Sequence, residues 1–131
     1  MTDTTTAGPA AAITTVDTYL AMWNEPDEAR RADLIATAWT EDGRYVDPLA
    51  SVAGHDQISD LIGAVRAQAP GHVFRLLGER VDAHHDVVRF GWELVPAAGG
   101  ESVAIGFDVA VAGEDGRIGS VIGFLDKAPA A

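Results

Sequence analysis

The sequence predicts an α+β fold in which three N-terminal helices pack on a strongly curved, mainly antiparallel sheet. Three observations carry this. Apolar residues recur at helical spacing in three segments that end before Pro70, long extended runs follow, and short glycine-rich turns of hairpin type separate those runs. At 131 residues, 47% of them hydrophobic, the chain builds one compact domain with a real core and has no room for two.

The helices come first. Ile13, Val16, Leu20 and Trp23 fall at helical spacing with Tyr19 on the same face, which predicts a helix over about Pro9 to Asn24. Pro26 suits the first turn of a second helix, and Asp27 and Glu28 its positive end. Leu34, Ile35, Ala38 and Trp39 form its stripe, and it is expected to stop near Glu41-Asp42-Gly43. Ile58, Leu61, Ile62 and Val65 mark a third helix ending before Pro70. Everything later reads as strand: His72 to Ala83, Asp86 to Val95, Ser102 to Ala112 and Arg117 to Asp126. No repeat is present. Residues 1–12, rich in Thr and Ala, are expected to form a disordered lead, residues 13–127 the domain and residues 128–131 a tail.

Composition narrows the function. With no cysteine there is no disulfide framework, thiolate metal site or nucleophilic thiol, in keeping with a reducing compartment. The net charge of -11 repels phosphate backbones and anionic lipid, so neither nucleic acid nor membrane is an expected partner. No run of eighteen apolar residues occurs, and residues 1–12 carry neither a basic start nor a continuous apolar core, so a cytoplasmic location is expected.

The segment Ala104 to Val111 is apolar on both faces. One parity carries Ile105, Phe107, Val109 and Val111; the other carries Ala104, Gly106, Asp108 and Ala110. Three helices cover one face of a sheet, so the bulky parity points to a second subunit and a homodimer. The small parity points to a cavity into which Asp108 projects. On the neighbouring strand Val88, Phe90, Trp92 and Leu94 share one parity and Arg89, Gly91 and Glu93 the other. Phe90 and Trp92 are read as pocket or core walls, Arg89 and Glu93 as sheet surface or interface.

Other polar residues have simple readings. Asp47 before Pro48 fits a strand-ending turn, and Tyr19 fits a core aromatic. Asp108 within "VAIGFDVAV" does not, because a buried acid must be hydrogen-bonded or functional. His84 and His85, adjacent at a strand start, point to opposite faces and cannot share a metal ion, and His55 reads as a capping or surface residue. No metal and no cofactor is expected.

The successive segments "YLAMWNEPDEA", "YVDPLASVAGHDQI" and "GFDVAVAGEDGRIGSVIGF" resemble the NTF2-like cone fold, and within it the SnoaL-like and ketosteroid isomerase-like proteins. The resemblance runs from Ile13 to Leu125. It implies that Tyr19 in "YLAMWN" is an oxyanion-hole donor, Asp47 in "VDP" the general base, and Asp108 in "FDVAVAGEDG" a second oxyanion donor. Trp23, Phe90, Trp92, Gly106 and Ala110 are the expected pocket lining. In ketosteroid isomerase one aspartate moves the proton while a second stays protonated in apolar surroundings. Of two carboxyls facing one dry cavity, the more desolvated keeps its proton, and here that is expected to be Asp108. The extra tyrosines that support the oxyanion hole in some isomerases have no evident counterpart, since the chain has two tyrosines, Tyr19 and Tyr45.

Three function classes follow. The first is a cofactor-free isomerase or cyclase acting on a hydrophobic carbonyl compound such as a steroid, terpenoid or polyketide. The second is a limonene epoxide hydrolase-like enzyme, to whose Asp-Arg-Asp set Asp108 and Arg89 would contribute. The third is a non-catalytic ligand-binding or dimerisation module.

Overall fold

A computed structural model describes residues 9–113 and 115–128 of the chain. The element order is α1 (Pro9–Asn24), α2 (Glu28–Ala38), β1 (Trp39–Val46), β2 (Ser51–Ala53), α3 (His55–Gln68), β3 (His72–His84), β4 (Val87–Pro96), β5 (Ala104–Ala112) and β6 (Ile118–Lys127). The six strands form one sheet in the order β2-β1-β6-β5-β4-β3. Only β1 and β6 run parallel; the other neighbours are antiparallel. The three helices pack on one face of this curved, unclosed sheet.

Helix α1 begins at Pro9, so residues 9–12, counted with the expected disordered lead, are helical, and Ala12 is already buried. The rest of that lead, residues 1–8, and the tail from residue 129 lie outside the described residues. The buried face of α1 is Val16, Tyr19, Leu20, Met22 and Trp23, whereas Ile13 stands 51% exposed. At its C-terminus the Asn24 amide pairs with both backbone groups of Phe74 at 2.7 Å each, standing in for a strand partner and pinning α1 to β3.

Helix α2 is shorter than its apolar stripe suggests. Asp27 caps it by accepting from the Ala29 and Arg30 amides, which leaves Pro26 outside, and it ends at Ala38. Trp39, the last residue of the expected stripe, instead opens β1 in extended backbone and is fully buried. A β-branched and acidic run, Thr40-Glu41-Asp42, follows and is strand rather than helix. The exposed carbonyls at this junction are satisfied from afar: Arg117 donates to Ala36 and Trp39, and Nε2 of His55 to Trp39 and Thr40. His55, the first residue of α3, thus ties its helix to the α2–β1 junction, while Gly54 holds the cap position of α3 without a side-chain cap bond.

Between α2 and α3 the Arg31 guanidinium is buried and donates to Ser59 Oγ and the Glu25 carbonyl. Along β5 the burial alternates as the residue parity predicts. Ala104, Gly106, Asp108 and Ala110 are buried under the helices, while Ile105, Phe107, Val109 and Val111 are half-buried on the outer face.

Candidate active site

Three elements bring the polar residues of one cavity together. Tyr19 and Trp23 lie one helical turn apart on the inward face of α1. Tyr45 and Asp47 are two residues apart at the end of β1, so both side chains face the same way. Asp108 sits mid-β5 on the buried parity, opposite Phe90 of β4 and Gly123 of β6. The cavity they share has a volume of about 340 Å³, and its remaining wall is mostly apolar, including Leu20, Phe74, Trp92, Leu94 and Leu125. Leu49, 83% exposed, and Gln68 stand at its rim.

Each of the chain's two tyrosines donates to one of the two carboxyls. Tyr19 donates a hydrogen bond to Oδ2 of Asp108 at 3.0 Å, and Tyr45 donates one to Oδ2 of Asp47 at 2.6 Å. The surroundings of the carboxyls differ. Asp108 is 3% exposed, and burial, aided by the charge of Asp47, raises its pKa to about 6 against the opposing hydrogen bonds from Trp92 and Tyr19. Asp47 is half-buried, and its Oδ1 accepts the backbone N–H groups of Leu49 and Ala50 at 2.8 Å each. That loop is an Asx turn, so the turn reading of Asp47 and its place at the cavity hold together. Both phenols are pushed up, first by burial and then by the charge of Asp108, so they remain protonated donors.

Two glycines make this packing possible. A side chain at Gly106 would meet the Trp92 ring at 2.0 Å, so Gly106 is the notch that seats the indole. A side chain at Gly123 would lie 2.7 Å from Oδ1 of Asp108 and 3.4 Å from Cβ of Asp47.

Of the residues expected here, Tyr19, Asp47, Asp108, Trp23 and Trp92 line the cavity. Phe90, Gly106 and Ala110 do not. Phe90 is buried behind Tyr19, edge-on at 5.5 Å, Gly106 lies beneath Trp92, and Ala110 belongs to the core. Tyr45 and Gly123 were missed by sequence reasoning. The period-2 relation of Tyr45 to Asp47 was a legible signal for the first; nothing local marked the second. Arg89 faces outward, pairs with Asp82 at 2.9 Å and lies over Phe107, so it does not join Asp108 in a water-activating set. Glu93 likewise pairs outward with Arg75. His84 and His85 are exposed at the β3–β4 turn, where the left-handed backbone of His85 brings the rings within 5.4 Å rather than to opposite faces. No cluster of three metal-ligating side chains occurs among the described residues.

Residues 16–121 match the family model of the SnoaL-like domain. The chain belongs to the SnoaL-like family. It is 44% identical to an isomerase candidate of that family from Agrobacterium tumefaciens, with 88% of this chain and 97% of that one covered and a TM-score of 0.83. More distant folds agree. A ketosteroid isomerase candidate from Kribbella flavida is 18% identical over 90% of this chain and 79% of that one, with a TM-score of 0.64. A SnoaL-like polyketide cyclase candidate from Jannaschia is 16% identical over 92% and 90%, with a TM-score of 0.67. No curated protein matches the chain. The architecture of this SnoaL-like chain is the NTF2-like α+β cone, and none of its described helices is long and apolar enough to cross a membrane.

Proposed function

We propose that this SnoaL-like protein is a cofactor-free acid–base catalyst, an isomerase or cyclase, acting on a hydrophobic carbonyl compound. The observation that carries the reading is the pair of unequal carboxyls in one mostly apolar cavity: Asp108 buried on Tyr19, and Asp47 half-buried under three donors. Asp47, held in place by those three donors, takes a proton from the carbon next to the carbonyl and returns it at another carbon. Tyr19 and the protonated form of Asp108 donate to the oxygen on which negative charge develops. A ligand that excludes the remaining water around Asp108 and brings a developing anion beside it favours the protonated form further. The neighbours carrying isomerase and cyclase names support the class, and the apolar wall supports a hydrophobic substrate. The protein acts as a homodimer in this reading, joined through the outer sheet face.

The deciding experiment is solvent deuterium uptake at the carbon next to the carbonyl of a bound unsaturated ketone. Wild-type protein should exchange and Asp47→Asn should not, while Asp47→Asn keeps its affinity for a planar phenol that mimics the enolate. Exchange that persists unchanged in Asp47→Asn removes Asp47 as the base. Tight phenol binding without exchange in the wild type leaves a ligand-binding module.

A further inference from the structure

The indole N–H of Trp23 is buried and lacks a hydrogen-bond partner, the one such side-chain group among the described residues. Buried donors are almost always paired, so an orphan calls for an explanation. Its neighbour supplies one. Trp23 follows Tyr19 by one helical turn with the rings 6.4 Å apart, and both line the cavity. The N–H is close enough to the Tyr19 oxygen to ease ionisation of that phenol, against the larger effects of burial and the Asp108 charge, yet it stops short of a hydrogen bond. Tyr19 meanwhile spends its own proton on Asp108, which leaves lone pairs of its oxygen open. Trp23 is held in place by Tyr45 at 5.6 Å, by Phe74 at 5.4 Å and by Arg66, which donates to its carbonyl at 3.2 Å.

We infer that Trp23 is a positioning residue: when an oxygen-bearing ligand draws the Tyr19 hydroxyl toward itself, Trp23 Nε1–H closes onto the Tyr19 oxygen. The result is a donor chain from Trp23 through Tyr19 to the ligand oxygen. This rests on the reading of Tyr19 as a donor to the substrate. Hydrogen bonds in ligand-free sites are commonly loose and tighten in the complex, and donors in a chain polarise one another. An indole N–H also strengthens Tyr19 without a titration of its own near neutral pH, the task that a supporting tyrosine would otherwise perform.

The chain's three tryptophans give three indole signals to follow by proton–nitrogen NMR. Trp39 donates to Met22 Sδ at 3.2 Å and serves as an internal control. Titration of the full chain with 2-naphthol should move the Trp23 signal downfield, and naphthalene, which has no oxygen, should not. Tyr19→Phe removes the acceptor and should abolish the shift. Trp23→Phe should weaken 2-naphthol about fivefold or more and leave naphthalene within about twofold. An unmoved Trp23 signal in 2-naphthol-saturated protein overturns the inference while the proposed function stands, as does equal weakening of both ligands in Trp23→Phe. Wild-type protein that holds naphthalene as tightly as 2-naphthol makes no use of the oxygen, and that outcome overturns the donor reading of Tyr19 and Asp108 together with this one.

Discussion

Gly123 and Asp108 stand opposite each other across the β5–β6 ladder, and the missing side chain of Gly123 is what admits the Asp108 carboxyl. A methyl group there would lie 2.7 Å from Oδ1, closer than real Cβ contacts come. Gly123→Ala is therefore expected to destabilise the fold by about 1–3 kcal/mol through overpacking. The same change should cost little in an Asp108→Ala background, because the clashing atoms are gone. Urea unfolding of the two single variants and the double variant measures the coupling. Additive costs would mean that the carboxyl does not occupy the space beside Gly123.

Asp108 also makes stability depend on pH in an unusual direction. Its folded pKa of about 6 lies above the ordinary 3.8, so the folded state binds this proton more tightly than the unfolded chain does. The contribution is fully present below about pH 4 and is lost as pH rises through 6, amounting to about 3 kcal/mol. Asp108→Asn carries no titrating group. Its stability relative to wild type should thus improve by about that amount between pH 4 and pH 7.5, while the other carboxylates cancel in the difference. A gap that stays flat over this range contradicts the burial assigned to the carboxyl.

Much of this site was legible in advance, and the reasons are physical. Asp108 could be found because an acid in an apolar run has no inexpensive bland explanation. The period-2 alternation of β5 gave its face correctly for the same reason that a one-residue slip would expose every buried side chain. Trp39 was misplaced because apolar spacing alone does not distinguish the last turn of a helix from the first buried residue of a strand. Gly106 and Ala110 share Asp108's parity, but parity gives a face and not what stands over it; the Trp92 ring covers Gly106, a contact made across the β4–β5 ladder. Gly123 could not be read at all, since its meaning depends on a register fixed only by the folded sheet.

Tyr45 and Asp47 provide a separate test of the cavity's second carboxyl. The phenol donates at 2.6 Å to an oxygen that receives no backbone N–H, so Tyr45→Phe leaves that oxygen without its protein donor. A hydrogen bond to a charged group contributes about 1.5–3 kcal/mol, and solvent access to the half-buried Asp47 places the expected loss at the lower end. A cycle with Asp47→Ala should recover that value as coupling between the two sites. Coupling near zero would show that the pair is adjacent without being bonded in solution.

The outer sheet face carries the partner prediction. Phe107 and Phe124 are paired across β5 and β6, and Val109 and Ile122 lie beside them in the same ladder. Phe124 is 53% exposed, Leu77 38% and Ile122 37%, with Leu77 reaching over Gly91 in the row that leads to Phe107. A contiguous apolar row of this kind, on the face the helices leave uncovered, is what a self-complementary dimer interface needs. The net charge of -11 acts against association, so burial of this patch must outweigh the repulsion, and salt should strengthen the dimer by screening it. Light scattering at micromolar concentration should give twice the chain mass, and Phe124→Lys should give the single mass with the far-ultraviolet circular dichroism unchanged. A wild-type chain that is monomeric at those concentrations and at high salt would leave this face without a second copy.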